Sequence, residues 1–263
     1  MYAFAYERPA ALADAVAKIS AGGQALAGGQ TLIASLKQRL AKPSSLVDLA
    51  AVSELSGIKK EGNTLVIGAM TRHEFVADSA EVKASIPGLA DLAGNIGDRQ
   101  VRAMGTMGGS VANNDPAACY PSAVLALGAT VQTNKRKIAA DDFFQGMYTT
   151  ALEEGELITA IHFPLAKKSA YAKFRQPASR FALVGVFVAQ TDQGVRVAIT
   201  GAGNGVFRHA GLEAALSKSF TPEAVEGVSI DAGELNGDLH ATAAFRAQLI
   251  KVQTQRAVQQ ANA

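Results

Sequence analysis

Apolar residues recur at helical spacing over residues 9–19, where Leu12, Ala15, Val16 and Ile19 follow an N-terminal proline, and this predicts a first helix. Residues 24–27 read as a short strand running into Gly28-Gly29-Gln30. Residues 31–40 regain the helical period through Leu32, Ile33, Leu36 and Leu40, and residues 45–49 return as a strand. The succession is a small βαβ unit with glycines at its strand-to-helix junction. Residues 58–68 predict a hairpin turning at Glu61-Gly-Asn63, and Thr71-x-x-Glu74 predicts a capping box opening the next helix.

Helical patterning covers much of residues 80–104 and gives way to a second glycine cluster, Gly105-Thr-Met-Gly-Gly-Ser110. Strands resume at 129–133 and 157–163. Pro164 and Lys167-Lys168-Ser169 mark a boundary, beyond which residues 170–174, 183–190 and 195–200 alternate as antiparallel strands turning at Asp192-Gln-Gly194. Helices follow at 209–217 and 241–260. The pattern predicts a first domain over residues 1–166 and then a smaller sheet-plus-helix domain over 167–263.

Composition narrows the chemistry. With 263 residues, 48% hydrophobic and 18% charged, and a net charge of +2, the chain has an ordinary globular balance. Its basic residues are scattered, which argues against nucleic acid as a partner. The one tight basic run, Lys135-Arg136-Lys137, reads as a solvated turn. Apolar runs of about ten residues fall well short of a membrane span, and the N-terminus lacks the pattern of a secretory signal, so a cytoplasmic location is expected. A single cysteine, Cys119, excludes an intrachain disulfide and any four-thiolate cluster built by this chain alone.

The two glycine clusters carry the candidate function. A diphosphate must be met by donors that come close, and glycine lets backbone N–H groups do so. Ala27, Gly28, Gly29, Gln30, Thr31 and Leu32 place such amides at a helix start, with Thr31 adding a hydroxyl. Thr106, Gly108, Gly109 and Ser110 repeat the grammar of hydroxyl, paired glycines and hydroxyl. One such loop alone reads as a tight turn; two suit the two phosphates of a dinucleotide. Hydrogen bonds to charged groups contribute roughly 1.5–3 kcal/mol each, so five or six account for tight binding without a lysine.

Other motifs fail. No P-loop sequence is present. Gly201-Ala-Gly203-Asn-Gly205-Val206 resembles a Rossmann fingerprint but has Val206 where the last glycine belongs and lacks a βαβ context, so it reads as a turn. His73, His162, His209 and His240 show no metal spacing and read as surface or capping residues. Asp141-Asp142 reads as a loop or cap rather than paired acids.

Beyond the loops, Leu26-Ala-Gly-Gly-Gln-Thr-Leu-Ile33, Leu46-Val-Asp-Leu49, Ile67-Gly-Ala-Met-Thr71, Gln100-Val-Arg-x-Met-Gly-Thr-Met-Gly-Gly109, Ala112-Asn-Asn-Asp-Pro116, Gly155-Glu-Leu-Ile158 and Tyr171-x-Lys-Phe174 occur in one order. Over essentially its whole length the chain resembles the FAD-binding (medium) subunit of the molybdenum hydroxylases, the group containing carbon monoxide dehydrogenase and xanthine dehydrogenase. The resemblance implies an α+β fold, with a two-subdomain FAD-binding domain of the PCMH type (subdomains of about 1–55 and 56–166), a small C-terminal domain, and FAD held non-covalently with its diphosphate on the two glycine loops. It also implies that Ile96, Asp115, Cys119, Ile158 and Arg175 lie near the ring and nucleotide, with Phe181 where an aromatic residue can lie by the isoalloxazine.

Two positions depart from the pattern. Cys119 stands where relatives usually have an aspartate that contacts FAD, and Arg175 where they often have lysine. The function implied is that of an electron-transfer subunit. A large subunit with molybdopterin oxidises substrate, a small subunit with two [2Fe–2S] clusters relays electrons, and FAD here passes them to an outside acceptor, in a dimer of heterotrimers. No catalytic acid, base or metal ligand is expected on this chain. Competing readings are a stand-alone flavin oxidoreductase and a nucleotide-binding module built on Gly201–Gly205. The hydroxylated substrate would be bound on another polypeptide, and the acceptor (NAD, quinone, dioxygen or a protein) is not written in these motifs.

Overall fold

The computed structural model describes residues 1–263. Its first sheet joins β1 (Ala5–Glu7), β2 (Gln24–Leu26) and β3 (Ser45–Asp48) in the order β1-β3-β2, all parallel. Parallel neighbours need crossovers, and α1 (Leu12–Ser20) and α2 (Leu32–Lys37) supply them. The glycines at residues 28 and 29 therefore sit at the carboxyl end of β2, where the chain turns into α2.

The second sheet is antiparallel. Its first hairpin is β4 (Ile58–Glu61) with β5 (Thr64–Gly68). Six short helices follow: α3 (His73–Asp78), α4 (Ala80–Ser85), α5 (Pro87–Gly94), α6 (Arg99–Met104), α7 (Met107–Asn113) and α8 (Tyr120–Ala126). The chain then adds β6 (Thr130–Thr133) and β7 (Lys137–Ala139), a helical turn α9 (Ala140–Phe143), a small hairpin of β8 (Phe144–Gly146) and β9 (Thr149–Thr150), and β10 (Ile158–Pro164). The order is β4-β5-β10-β6-β7, so β10 returns to the middle of the sheet.

A four-stranded antiparallel sheet completes the chain: β11 (Lys168–Arg175), β12 (Ala182–Thr191), β13 (Gly194–Thr200) and β14 (Phe207–Arg208), with α10 (Ala210–Lys218) and the long α11 (Ala243–Asn262). Nine of the ten residues of β12 are buried, because it is covered on both faces. Val184, Val186 and Val188 pack toward α11 residues Leu249, Ile250, Ala257 and Val258. Phe187 and Ala189 point the other way, into the core that also holds α5, α7, α8 and β10. The hydrophobic core thus runs unbroken across the expected boundary near residue 166.

Gly88 shows how close that packing is. A Cβ there would lie 2.8 Å from the Ala170 backbone, so the α5 backbone rests directly on β11. Gly88→Ala is expected to cost about 1–3 kcal/mol in denaturant unfolding. Gly94→Ala, whose nearest neighbour would be 3.9 Å away, is the control and should be neutral or slightly stabilising.

Four local expectations change. The capping box at Thr71 does not form: α3 has Arg72 at its N-cap without a side-chain cap. Thr71 is buried, and its hydroxyl both donates to the Gly57 carbonyl and accepts from the Gly57 amide, closing a loop instead. The basic turn is not simply solvated, since Arg136 makes a two-pronged contact with the buried Glu156 carboxylate, both at 3.0 Å. Among the histidines, His209 caps α10 through Nδ1 as expected, but His73 is buried, only 4% exposed. Asp141 serves as an ion-pair partner of Arg196 and Arg208 rather than a cap. No helix is long and apolar enough to cross a membrane.

Candidate functional site

The two glycine clusters, about 80 residues apart in sequence, lie against each other. A Cβ on Gly28 would overlap the Met104 carbonyl oxygen and stand 2.7 Å from Gly105 Cα. A Cβ on Gly109 would be 3.4 Å from Ala27 Cβ. The close approach that glycine permits is therefore used between the loops themselves. Gly29 turns the chain with φ +70°, a conformation in which a side chain is strained.

The amides of the two loops are not equivalent. In the second loop Met107 N donates to Thr71 O, Gly108 N to Ala69 O, Gly109 N to the Thr106 hydroxyl and Ser110 N to Thr106 O. Thr106 acts as the N-cap of α7 and satisfies the helix's own orphan donors. The expectation that both loops offer free N–H groups is thus corrected for residues 107–110. In the first loop, Gly28, Gly29, Gln30, Thr31 and Leu32 donate no backbone hydrogen bond within the chain. Gly28, Gly29 and Leu32 are half-buried and Gln30 and Thr31 exposed, and half-buried amides call for partners, so this run of open donors is suited to an anion. Thr31 and Ser110 bring one hydroxyl to each loop. Gln30 folds its amide back onto Gly28 O at 2.9 Å.

Beneath the loops, His73 donates its backbone N–H to Gly105 O, and its ring is packed so that a Cβ on Gly105 would lie 2.6 Å from Nε2. Burial and the nearby Arg102 charge push His73 down to about 4, so it is neutral at pH 7. Ile158 is buried in the core, 3% exposed. Its neighbour Thr159 accepts from Ala69 N, and Ala69 O receives the Gly108 amide, so this strand buttresses the second loop.

The remaining expected residues gather around one side chain that sequence reasoning passed over. Lys173 Nζ donates to Asn95 O at 2.6 Å and Arg180 O at 3.1 Å, and lies 3.5 Å from Cys119 Sγ. Ile96, Cys119 and Phe181 are thereby drawn to one place, and Arg175 joins them by bonding the Asn95 side chain. Lys173 stood inside the quoted stretch Tyr171-x-Lys-Phe174; strand alternation with Arg175 was the signal that could have found it. Asp115 is set slightly apart. Its carboxylate accepts from Ala117 N at 2.8 Å and Tyr148 OH at 3.3 Å, and with Phe181 it lines a cavity of about 390 Å³.

Gly203 and Gly205 line a different cavity of about 550 Å³, between Asn114 and residues 230–235. They lie between antiparallel β13 and β14, without the strand-to-helix geometry of a dinucleotide fingerprint.

Residues 2–166 match the family described as the FAD binding domain in molybdopterin dehydrogenase. The carbon monoxide dehydrogenase medium chain of Hydrogenophaga pseudoflava is 34% identical, over 94% of each chain. The glyceraldehyde dehydrogenase medium chain of Sulfolobus acidocaldarius is 32% identical, over 97% of this chain and 96% of that one. Among solved structures, reconstituted CO dehydrogenase from Oligotropha carboxidovorans superposes with a TM-score of 0.90 at 32% identity, covering 99% of this chain and 98% of that one.

Proposed function

Because this chain belongs to the family of FAD-binding domains of molybdopterin dehydrogenases, in its medium-chain form, we propose that it is the electron-transfer subunit of a molybdenum hydroxylase complex and holds FAD across its two glycine loops. The observation that carries this reading is the contact of the loops at Gly28 and Gly109, with the amides of residues 28–32 left without partners inside the chain.

In this reading the amides of Gly28, Gly29, Gln30, Thr31 and Leu32 hold the diphosphate, with the hydroxyls of Thr31 and Ser110 as added donors. Thr106, Gly108 and Gly109 shape the wall that the diphosphate lies against. Ile96 and Phe181 supply apolar surface for the ring system, while Asp115, Cys119 and Arg175 bound it with polar groups; Ile158 acts from the core by supporting the second loop. Bound FAD supplies two-electron redox chemistry that accepts single electrons in turn.

No side chain here needs to act as acid or base on an organic substrate. Relatives named as medium chains of carbon monoxide and glyceraldehyde dehydrogenases align with nearly the whole of this chain, and the matching family is that of molybdopterin dehydrogenases, which supports a substrate site on a separate, large molybdopterin subunit. One cysteine cannot supply the four ligands of an iron–sulfur cluster, which supports a small subunit carrying the [2Fe–2S] clusters; the reading is completed by a cytoplasmic dimer of heterotrimers. The full chain, purified, is expected to carry about one FAD per polypeptide, and its apo form to take FAD up again with quenching of flavin fluorescence. Absence of flavin absorbance together with no uptake by the apo chain sinks the proposal.

A further inference from the structure

Strand alternation sends Tyr171, Lys173 and Arg175 to one face of β11, while Ala170 and Ala172 face α11. Along that face the environment grades from core to rim: Tyr171 is buried, Lys173 half-buried and Arg175 exposed. Lys173 is held in place by two backbone carbonyls from separate segments, Asn95 and Arg180, at 2.6 and 3.1 Å. Its third neighbour is the Cys119 thiol at 3.5 Å. No carboxylate forms an ion pair with it: Lys173 is in none of the chain's twelve salt bridges.

A half-buried ammonium whose partners are two carbonyls and a weak sulfur acceptor keeps its field, because no carboxylate is paired with it. The segments it ties together are those that present Ile96, Cys119 and Phe181. We propose that Lys173 sets the reduction potential of the bound flavin, as a fixed cation beside it, and that the thiol at Cys119 leaves that charge uncompensated. The inference rests on the placement of FAD given above.

The chemistry fixes the sign. Uptake of two electrons from a reduced iron–sulfur partner, with one proton from solvent, leaves flavin one unit more negative than before. A nearby cation stabilises that reduced form relative to the oxidised one and raises the potential. Removing the cation, or pairing it, lowers it.

The test is a spectroelectrochemical titration of the full chain with its flavin, alongside the dissociation constant of oxidised FAD. Lys173→Met and Cys119→Asp are each expected to lower the two-electron midpoint, by about 30 mV for every tenfold loss of preference for reduced over oxidised FAD. Lys173→Arg, which keeps the charge, and Cys119→Ser, which adds none, should stay near the parent. A Lys173→Met chain that binds FAD at an unchanged potential overturns the proposal. If that variant does not fold, Cys119→Asp leaves the lysine clamp in place, and an unmoved potential there overturns it equally. A parent chain that holds no FAD would instead overturn the reading on which the inference rests.

Discussion

Gly28→Ala is expected to weaken FAD binding at least a hundredfold and to yield a folded chain without flavin absorbance. The added methyl would overlap the Met104 carbonyl oxygen and press on Gly105 Cα, both backbone atoms, so relief requires the two loops to part. Parting them turns the amides of residues 28–32 away from the wall formed by Gly109. A hundredfold corresponds to about 2.7 kcal/mol, the loss of only one or two charge-assisted hydrogen bonds at about 1.5–3 kcal/mol each. Gly203→Ala is the companion measurement. Its Cβ would meet nothing closer than Phe207 at 3.5 Å, an ordinary contact, and FAD binding should be unaffected. Full flavin occupancy in Gly28→Ala would sink the two-loop site, and loss of a nucleotide in Gly203→Ala alone would move the function to the turn at 201–205.

The unequal roles of the two loops explain what could be read from the sequence and what could not. Paired glycines flanked by hydroxyl residues announce backbone proximity, and the structure places both clusters together. Which amides remain open depends on acceptors far away in the chain. Thr71 O and Ala69 O take the amides of Met107 and Gly108, and these contacts exist only once β5, α3 and α7 are assembled. Thr71 illustrates the same competition: its spacing to Glu74 matched a capping box, yet a buried hydroxyl gains more by bonding both polar groups of Gly57 than by capping an exposed helix start.

Strand patterns were legible where one or both faces are buried. The apolar run of β12 and the turn at residues 192–194 come directly from residue type, as does the parallel β2-α2-β3 unit. Lys173 was not legible, because its meaning lies in the segments from residues 95 and 180 that converge on it. Nor was the core role of His73, whose neighbours Tyr120 and Gly105 come from other elements. Local spacing predicts local hydrogen bonds; sites assembled from three or four segments need the fold.

Acid should release FAD and then unfold the chain in two separable windows. His73 takes up a proton near 6.5 when unfolded but only near 4 in the folded chain, where burial and then Arg102 oppose its charge and the Tyr120 ring lies 5.2 Å away. Between those values the unfolded state binds more protons, so stability falls as pH drops from about 6.5 to about 4, by roughly 3 kcal/mol in total. Because the His73 ring lies under Gly105, flavin release is expected within this window. Glu156 acts lower. Burial works against its charge, but the Arg136 guanidinium, the Glu153 amide and the Thr133 hydroxyl together hold it at about 2, against 4.5 unfolded. Its stabilisation is complete above about 4.5 and is lost as pH falls toward about 2, about 2–3 kcal/mol given that Arg136 is itself 44% exposed. Denaturant unfolding measured from pH 7 down to pH 3 checks both. His73→Gln should flatten the upper slope, and Glu156→Gln should lower stability at pH 7 while flattening the lower one. An unchanged slope between pH 6.5 and 4 in His73→Gln would remove the histidine from the account, leaving the carboxylates to explain acid loss.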